Sequence, residues 1–256
     1  MKSDESSIGN VAHRFRTTRW TMVLLSGKCQ APGFRAALGE LCRIYWYPLY
    51  AYIRRRGHNP EEAQDLTQGF FLHLFERNTL ARADPLKGKF RSFLLGSLQN
   101  YLSTEADRAR SLKRGGEVEF VRLEMQAAEE RYLLEQVDQL SAEKIFEARW
   151  ALVLLEQAMR ELGRQYAVRG KEAVFETLKS FIGIGISGPE ASYETTGQRL
   201  GVGVGTVKTL IRRLRKQYMA VVREEVGRTV TDPGEIEAEL RALCEAVTAS
   251  EGRLER

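Results

Sequence analysis

Apolar residues recur three or four positions apart along most of this 256-residue chain, and no stretch alternates polar with apolar. A period near 3.6 belongs to amphipathic helices and a period of two to half-buried strands. That contrast commits the chain to an all-α fold. The spacing predicts a short helix at Thr18–Ser26 and a longer one over Phe34–Arg56, with Phe34, Leu38, Leu41 and Tyr45 on one stripe. Pro48 should bend or break it, since proline lacks the N–H that the helix interior needs. Asn59-Pro60-Glu61-Glu62 reads as a helix start: a capping side chain, a proline where no N–H is missed, and two acids at the positive end. That third helix would bury Ala63, Leu66, Phe70 and Leu74. A fourth is expected over Phe90–Arg110, with Phe90, Phe93, Leu94, Leu98, Tyr101 and Leu102 on a broad apolar face. Ile145, Ala148, Leu152, Leu155, Met159, Leu162 and Tyr166 form a further series at helical spacing. Helices over Lys171–Ile182, Glu190–Leu200, Val204–Val226 and Ile236–Val247 complete the chain.

Composition narrows the class. With 43% hydrophobic and 29% charged residues the chain is too apolar for a disordered protein. The longest uncharged apolar run near a helix centre, Trp150–Leu155, falls far short of the roughly 20 residues of a membrane span. The start, Met1-Lys2-Ser3-Asp4-Glu5, lacks the basic-then-apolar layout of a signal peptide. Cys29, Cys42 and Cys244 are odd in number, widely spaced and accompanied by three histidines, which argues against both a disulfide scaffold and a zinc site. The expected location is the cytoplasm.

The net charge of +5 is less informative than its distribution. Residues 77–116 hold nine Lys/Arg against three Asp/Glu, and residues 117–147 reverse this with nine acids against three bases. Residues 204–217 hold five bases and no acid, and the tail from Asp232 to Arg256 has seven acids against three bases. Two basic segments separated by an acidic one suggest two surfaces for a polyanion and a connector that avoids it. A flexibly linked acidic tail would also be attracted to a basic surface of its own chain.

Ser192–Leu200, Gly201-Val202-Gly203 and Val204–Gln217 read as helix, tight turn, helix. Gly201 supplies the left-handed stop of the first helix. Val204, Val207, Leu210, Ile211 and Leu214 give the second a buried face. The other positions, Thr206, Lys208, Thr209, Arg212, Arg213, Arg215 and Lys216, suit a recognition helix whose first turns enter the major groove while its cations meet phosphates. Two glycine patterns fail as phosphate loops. Gly201–Lys208 has Val207, not glycine, before its lysine, and Gly183–Gly188 follows a helix rather than a strand.

Tyr45-Trp46-Tyr47-Pro48-Leu49-Tyr50, Asn59–Phe71, Phe90-Arg91-Ser92-Phe93-Leu94 and Gln99-Asn100-Tyr101-Leu102 together resemble region 2 of bacterial sigma-70-type RNA polymerase sigma factors. The likeness is greatest to the short extracytoplasmic-function (ECF) group, which keeps only regions 2 and 4. Ser192-Tyr193-Glu194, Leu200-Gly201-Val202, Gly205-Thr206-Val207-Lys208 and Arg212-Arg213-Leu214-Arg215 resemble the region 4 helix-turn-helix of the same family. The resemblance implies two helical domains, region 2-like over 34–116 and region 4-like over 145–227. An acidic linker (117–144) would join them, flanked by an N-terminal helical extension (1–33) and an acidic C-terminal tail (228–256).

It also implies partners and roles. Core RNA polymerase would dock on Asp65, Gln68 and Leu72. The −10 promoter element would meet Arg91, Asn100, Tyr101, Arg108, Arg110, Lys113 and Arg114. The −35 element would meet the seven polar positions of Val204–Gln217 given above. An anti-sigma factor is a further possible partner of such a chain. The family has Trp where Phe93 stands, an Asp near Thr104, and a polar cap where Gly203 stands. No cofactor, metal or catalytic residue is expected. Glu61, Glu62, Asp65 and Glu76 do not converge with a histidine, so a metal-dependent nucleic-acid enzyme is disfavoured. The alternative is a repressor or activator that uses the helix-turn-helix without docking on polymerase.

Overall fold

The computed structural model describes residues 34–76, 79–82, 89–111, 129, 132, 140–182, 192–230 and 233–254. The predicted helix at Thr18–Ser26 lies outside them. The described residues contain helices and no strand. Eight α-helices follow in order: α1 (Phe34–Arg55), α2 (Pro60–Glu76), α3 (Phe90–Ser111), α4 (Ala142–Val168), α5 (Glu172–Leu178), α6 (Tyr193–Leu200), α7 (Val204–Gly227) and α8 (Ile236–Leu254). Short 3-10 turns occupy Thr79–Arg82, Lys179–Ile182 and Pro233–Glu235.

The helix starts follow local chemistry. Asn59 Oδ1 accepts from the Glu62 amide at 2.8 Å, and Glu62 reaches back to the Asn59 amide at 3.4 Å, closing a reciprocal capping box at α2. Ser141 caps α4 by accepting from the Lys144 amide. α1 continues through Pro48, where the sequence predicts a bend or break. Buried side chains on both sides of the proline, Ile44 and Tyr45 before it and Leu49 to Ile53 after it, hold the two halves in register. In α2 the buried stripe is Ala63, Thr67, Phe70, Phe71 and Leu74. Leu66, expected in that stripe, is half-buried at the edge instead. The Thr67 hydroxyl can occupy the core because it donates to the Ala63 carbonyl at 2.6 Å.

One helix organises the rest. The sequence pattern gives α4 a single apolar stripe, whereas in the fold it buries residues on several faces. From Ala148 to Ala158 every residue except Leu152 and Glu156 is buried. A helix that is apolar on most sides belongs inside a protein. α1 packs on one side of α4, and α7 and α8 pack on others. As a result one hydrophobic cluster runs from Leu41 in α1 through Trp150 and Leu154 in α4 to Val226 and Val247 at the C-terminal end. The helices of 34–111 and those of 142–254 thus share a core. α3 joins through Phe90, edge-on to Tyr45 at 5.5 Å, and through Tyr101, tilted over Phe70 at 5.7 Å.

Part of the acidic stretch also lies on this body. Glu129 accepts from Arg54 Nε at 3.0 Å and Nη2 at 2.8 Å and from the Tyr50 hydroxyl, and the Arg54 guanidinium stands 4.9 Å from the Tyr132 ring centre. Burial, and then Glu129 beside it, push the Tyr50 hydroxyl up, so it stays a donor. Burial alone would raise Glu129, but its bonds from Arg54 and Tyr50 outweigh that and hold the carboxyl below its usual range.

Two measurements check this architecture. Leu154 is fully buried in the shared core, so Leu154→Ala should cost about 2–5 kcal/mol in urea unfolding, within one cooperative transition. Two transitions of which only one moves would contradict a shared core. Because Glu129 is lowered in the fold, its contact stabilises at neutral pH and is lost as pH falls through the lowered value. The stability gap between wild type and Glu129→Gln should therefore close in acid; a gap independent of pH would exclude the contact.

Candidate nucleic-acid interface

α6 and α7 meet at a turn built from three glycines. Ser192 Oγ accepts from the Glu194 amide at 3.2 Å and starts α6. Gly201 ends it at φ 66°, in the left-handed region, and the Val202 amide returns to the Gly197 carbonyl at 2.9 Å. Gly197 is required by space: a Cβ there would stand 2.7 Å from the Val202 carbonyl oxygen. Gly203 caps α7 through its extended backbone alone, without a side-chain bond.

α7 is 24 residues long, about 36 Å, against a major groove about 12 Å wide. Val207, Ile211, Leu214 and Tyr218 are buried on one stripe. Tyr218 donates to the Leu155 carbonyl at 3.0 Å, and the Tyr166 hydroxyl donates to Gln217 at 2.6 Å, fixing the helix to α4. Burial pushes the Tyr218 hydroxyl up, so it remains a donor.

On the opposite side Thr206, Lys208, Thr209, Arg212, Arg213, Arg215 and Lys216 are all exposed. They are not equivalent. Arg215 is turned to the rim, donating from Nε and Nη2 to the Phe181 carbonyl at 3.1 and 2.8 Å. Thr209 Oγ1 bonds back to the Gly205 carbonyl at 3.1 Å. The Lys208 amine lies 5.5 Å from the centre of the Tyr193 ring, itself stacked on Phe181 at 5.5 Å. Thr206, Arg212, Arg213 and Lys216 project from the middle and near flank of the face. The arrangement offers hydroxyls and guanidinium groups to a groove and cations to its edges.

The α2 strip is only partly open. Asp65 is exposed, while Gln68 and Leu72 are half-buried. Asp65 borders a cleft of about 690 Å³ between the end of α1, α2 and α3, with Leu66 and Leu102 among its apolar lining and Glu62, His58 and Gln99 among its polar lining. This cleft was not read from the sequence, because it depends on how α3 crosses α2.

The residues expected at the −10 element separate into different environments. Asn100 is exposed, as are its helix neighbours Gln99, Ser103 and Thr104. Tyr101 is half-buried against Phe70 and His73, its hydroxyl end over Gly69, so it packs α3 on α2 rather than standing free. Arg91 is 5% exposed. Its Nε donates to Glu147 at 2.6 Å, its guanidinium lies 4.3 Å over Trp150, and Nη1 is paired with Glu239 of α8. Arg91 is therefore closed to an outside ligand in this conformation. Arg108 and Arg110 lie in the last turns of α3, and their side chains, like Lys113 and Arg114, lie outside the described residues.

Glu147 and Glu239, which hold Arg91, were missed. Glu239 stands four residues before Leu243 and eight before Val247, so the helical register already placed it on the apolar face of the tail. Among the described residues no group of His, Cys, Asp and Glu is arranged to hold a metal ion, and no helix is long and apolar enough to cross a membrane. Cys42 is half-buried and Cys244 exposed. Scans of the chain against family models, curated proteins and solved structures find no match.

Gly197→Ala should lower stability by about 1–3 kcal/mol, because the new methyl must displace backbone rather than a flexible side chain. Thermal denaturation checks this, and an unchanged melting temperature would mean that the α6–α7 turn is looser than described.

Proposed function

We propose that this chain is a sigma factor of the extracytoplasmic-function type: it joins core RNA polymerase, engages promoter −10 and −35 elements and starts transcription. The observation that carries the reading is α7. Seven polar or basic side chains expected to face DNA are exposed together, while the alternate stripe is locked to α4 and α6. A solvated, acid-free, guanidinium-rich face on the second helix of a tight helix-turn-helix is suited to the major groove. The exposed Asp65 beside an apolar-lined cleft supports docking on a larger protein. Asn100, on the exposed side of α3, supports contact with unpaired bases, which need amide edges.

In this reading the chemistry is recognition alone. Thr206, Arg212 and Arg213 read base edges or phosphates, Lys208 and Arg215 set the helix against the backbone, and Asp65 anchors the whole to polymerase. A second reading is favoured by one observation. Arg91 is sealed inside the protein, as suits a transcriptional repressor or activator that uses only its helix-turn-helix.

Assembly with core polymerase separates the two. Asp65→Ala should reduce co-purification with core polymerase while leaving duplex binding by the full chain intact. Arg212→Ala should weaken promoter binding by about 1–3 kcal/mol if its guanidinium meets a base edge. Arg215→Ala should cost less, because that guanidinium is already committed to the Phe181 carbonyl. A chain that never co-purifies with core polymerase, yet gives a symmetric footprint on DNA, would establish the second reading.

A further inference from the structure

Glu239 is the only acid of α8 that is buried among the described residues, at 1% exposure. It sits on the face that carries Leu243 and Val247 into the core. Its two oxygens contact Lys89 and Arg91 as ion pairs. Lys89 directly precedes α3 and Arg91 is its second residue, so this carboxylate lies at the positive end of a 22-residue helix. Glu147 and the Trp150 ring hold the Arg91 guanidinium from its other side. Two cations, one of them a pre-set guanidinium, beside a helix N-terminus are the elements of an oxyanion site. Glu239 stands where a phosphate would.

We infer that Lys89 and Arg91 form a phosphate-binding site for nucleic acid, that Glu239 of α8 plugs it, and that the polyanion opens it by displacing α8. The inference rests on the proposed role of α3 at DNA. With Glu239 in place, two cations face two carboxylates; without it, Glu147 alone opposes them and the site is left cationic. The surrounding stretch, nine bases against three acids over 77–116, favours a long polyanion over a single phosphate.

α8 packs on α4 and α7 but brings little fully buried apolar surface of its own. Among its described apolar residues only Leu243 and Val247 are buried, with Ile236, Leu240, Ala242 and Ala246 half-buried. A further ion pair of α8, Glu237 with Arg223, is at the surface. α4, by contrast, is buried along most of its length.

The test uses the full chain and a fluorescent duplex of random sequence. Counterion release gives a log–log salt slope of about −0.9 per phosphate contacted, so one added contact corresponds to roughly an eightfold gain in affinity near 0.1 M salt. Glu239→Gln, in which no charged plug has to be displaced, should bind severalfold more tightly, and adding Lys89→Gln, which removes one phosphate contact, should reverse that gain and make the slope shallower by about one. In the wild type, saturating duplex should speed amide exchange over 236–250 while 150–158 stays protected. A cooperatively folded Glu239→Gln protein with unchanged affinity, or an α8 whose exchange DNA leaves alone or slows, overturns the plug. No polymerase is present in these experiments. A gain without holoenzyme assembly therefore counts against the sigma reading alone, and assembly with a Glu239→Gln duplex affinity equal to wild type counts against the plug alone.

Discussion

α4 has too much apolar surface for one partner. Trp150, Ala151, Val153, Leu154 and Leu155 follow almost without a break, and a 3.6-residue turn sends them to different sides. Burying all of them requires neighbours on several faces, and α1, α7 and α8 supply them. Everything else in the molecule depends on that requirement. The helix-turn-helix is held because Tyr218 and Gln217 of α7 bond to Leu155 and Tyr166 of α4. The start of α3 is held because Arg91 lies on Trp150. The exposed basic face of α7 and the Asp65 strip of α2 are thereby mounted on one body.

Electrostatics then sets which basic groups remain open. The chain's acidic segments do not stay clear of its basic ones. Glu129 lies on Arg54, and Glu239 lies between Lys89 and Arg91. The α7 face, with no acid over 204–217, is left exposed. Of the two basic segments one is therefore presented and the other closed at Arg91. Buried ion pairs of this kind gain little net stability, since desolvation offsets attraction. Their effect is to decide which cations a passing polyanion can reach.

How much of this was legible in the residues follows from the range of the forces involved. Helix existence, the Asn59 and Ser192 starts and the Gly201 stop are local, set by a few neighbouring atoms, and they could be read directly. So could the outward face of α7, because one periodic stripe fixes its complement. Pro48 does not break α1, since packing on both sides of it holds the helix together. Leu66 was assigned to the core where Thr67 took the place, its hydroxyl satisfied within the helix. The all-round burial of α4, the cleft at Asp65 and the closure of Arg91 each depend on which helices meet. No period along a single chain carries that information. Arg91 was assigned a role at DNA from resemblance and charge, and only its neighbours in space reveal what occupies it.

The most direct test of the account is run-off transcription with core RNA polymerase, this protein and genomic fragments from upstream of its own gene. The account predicts a discrete transcript that requires both the protein and an intact α7 face. A protein that binds those fragments tightly but yields no transcript above core polymerase alone would contradict it.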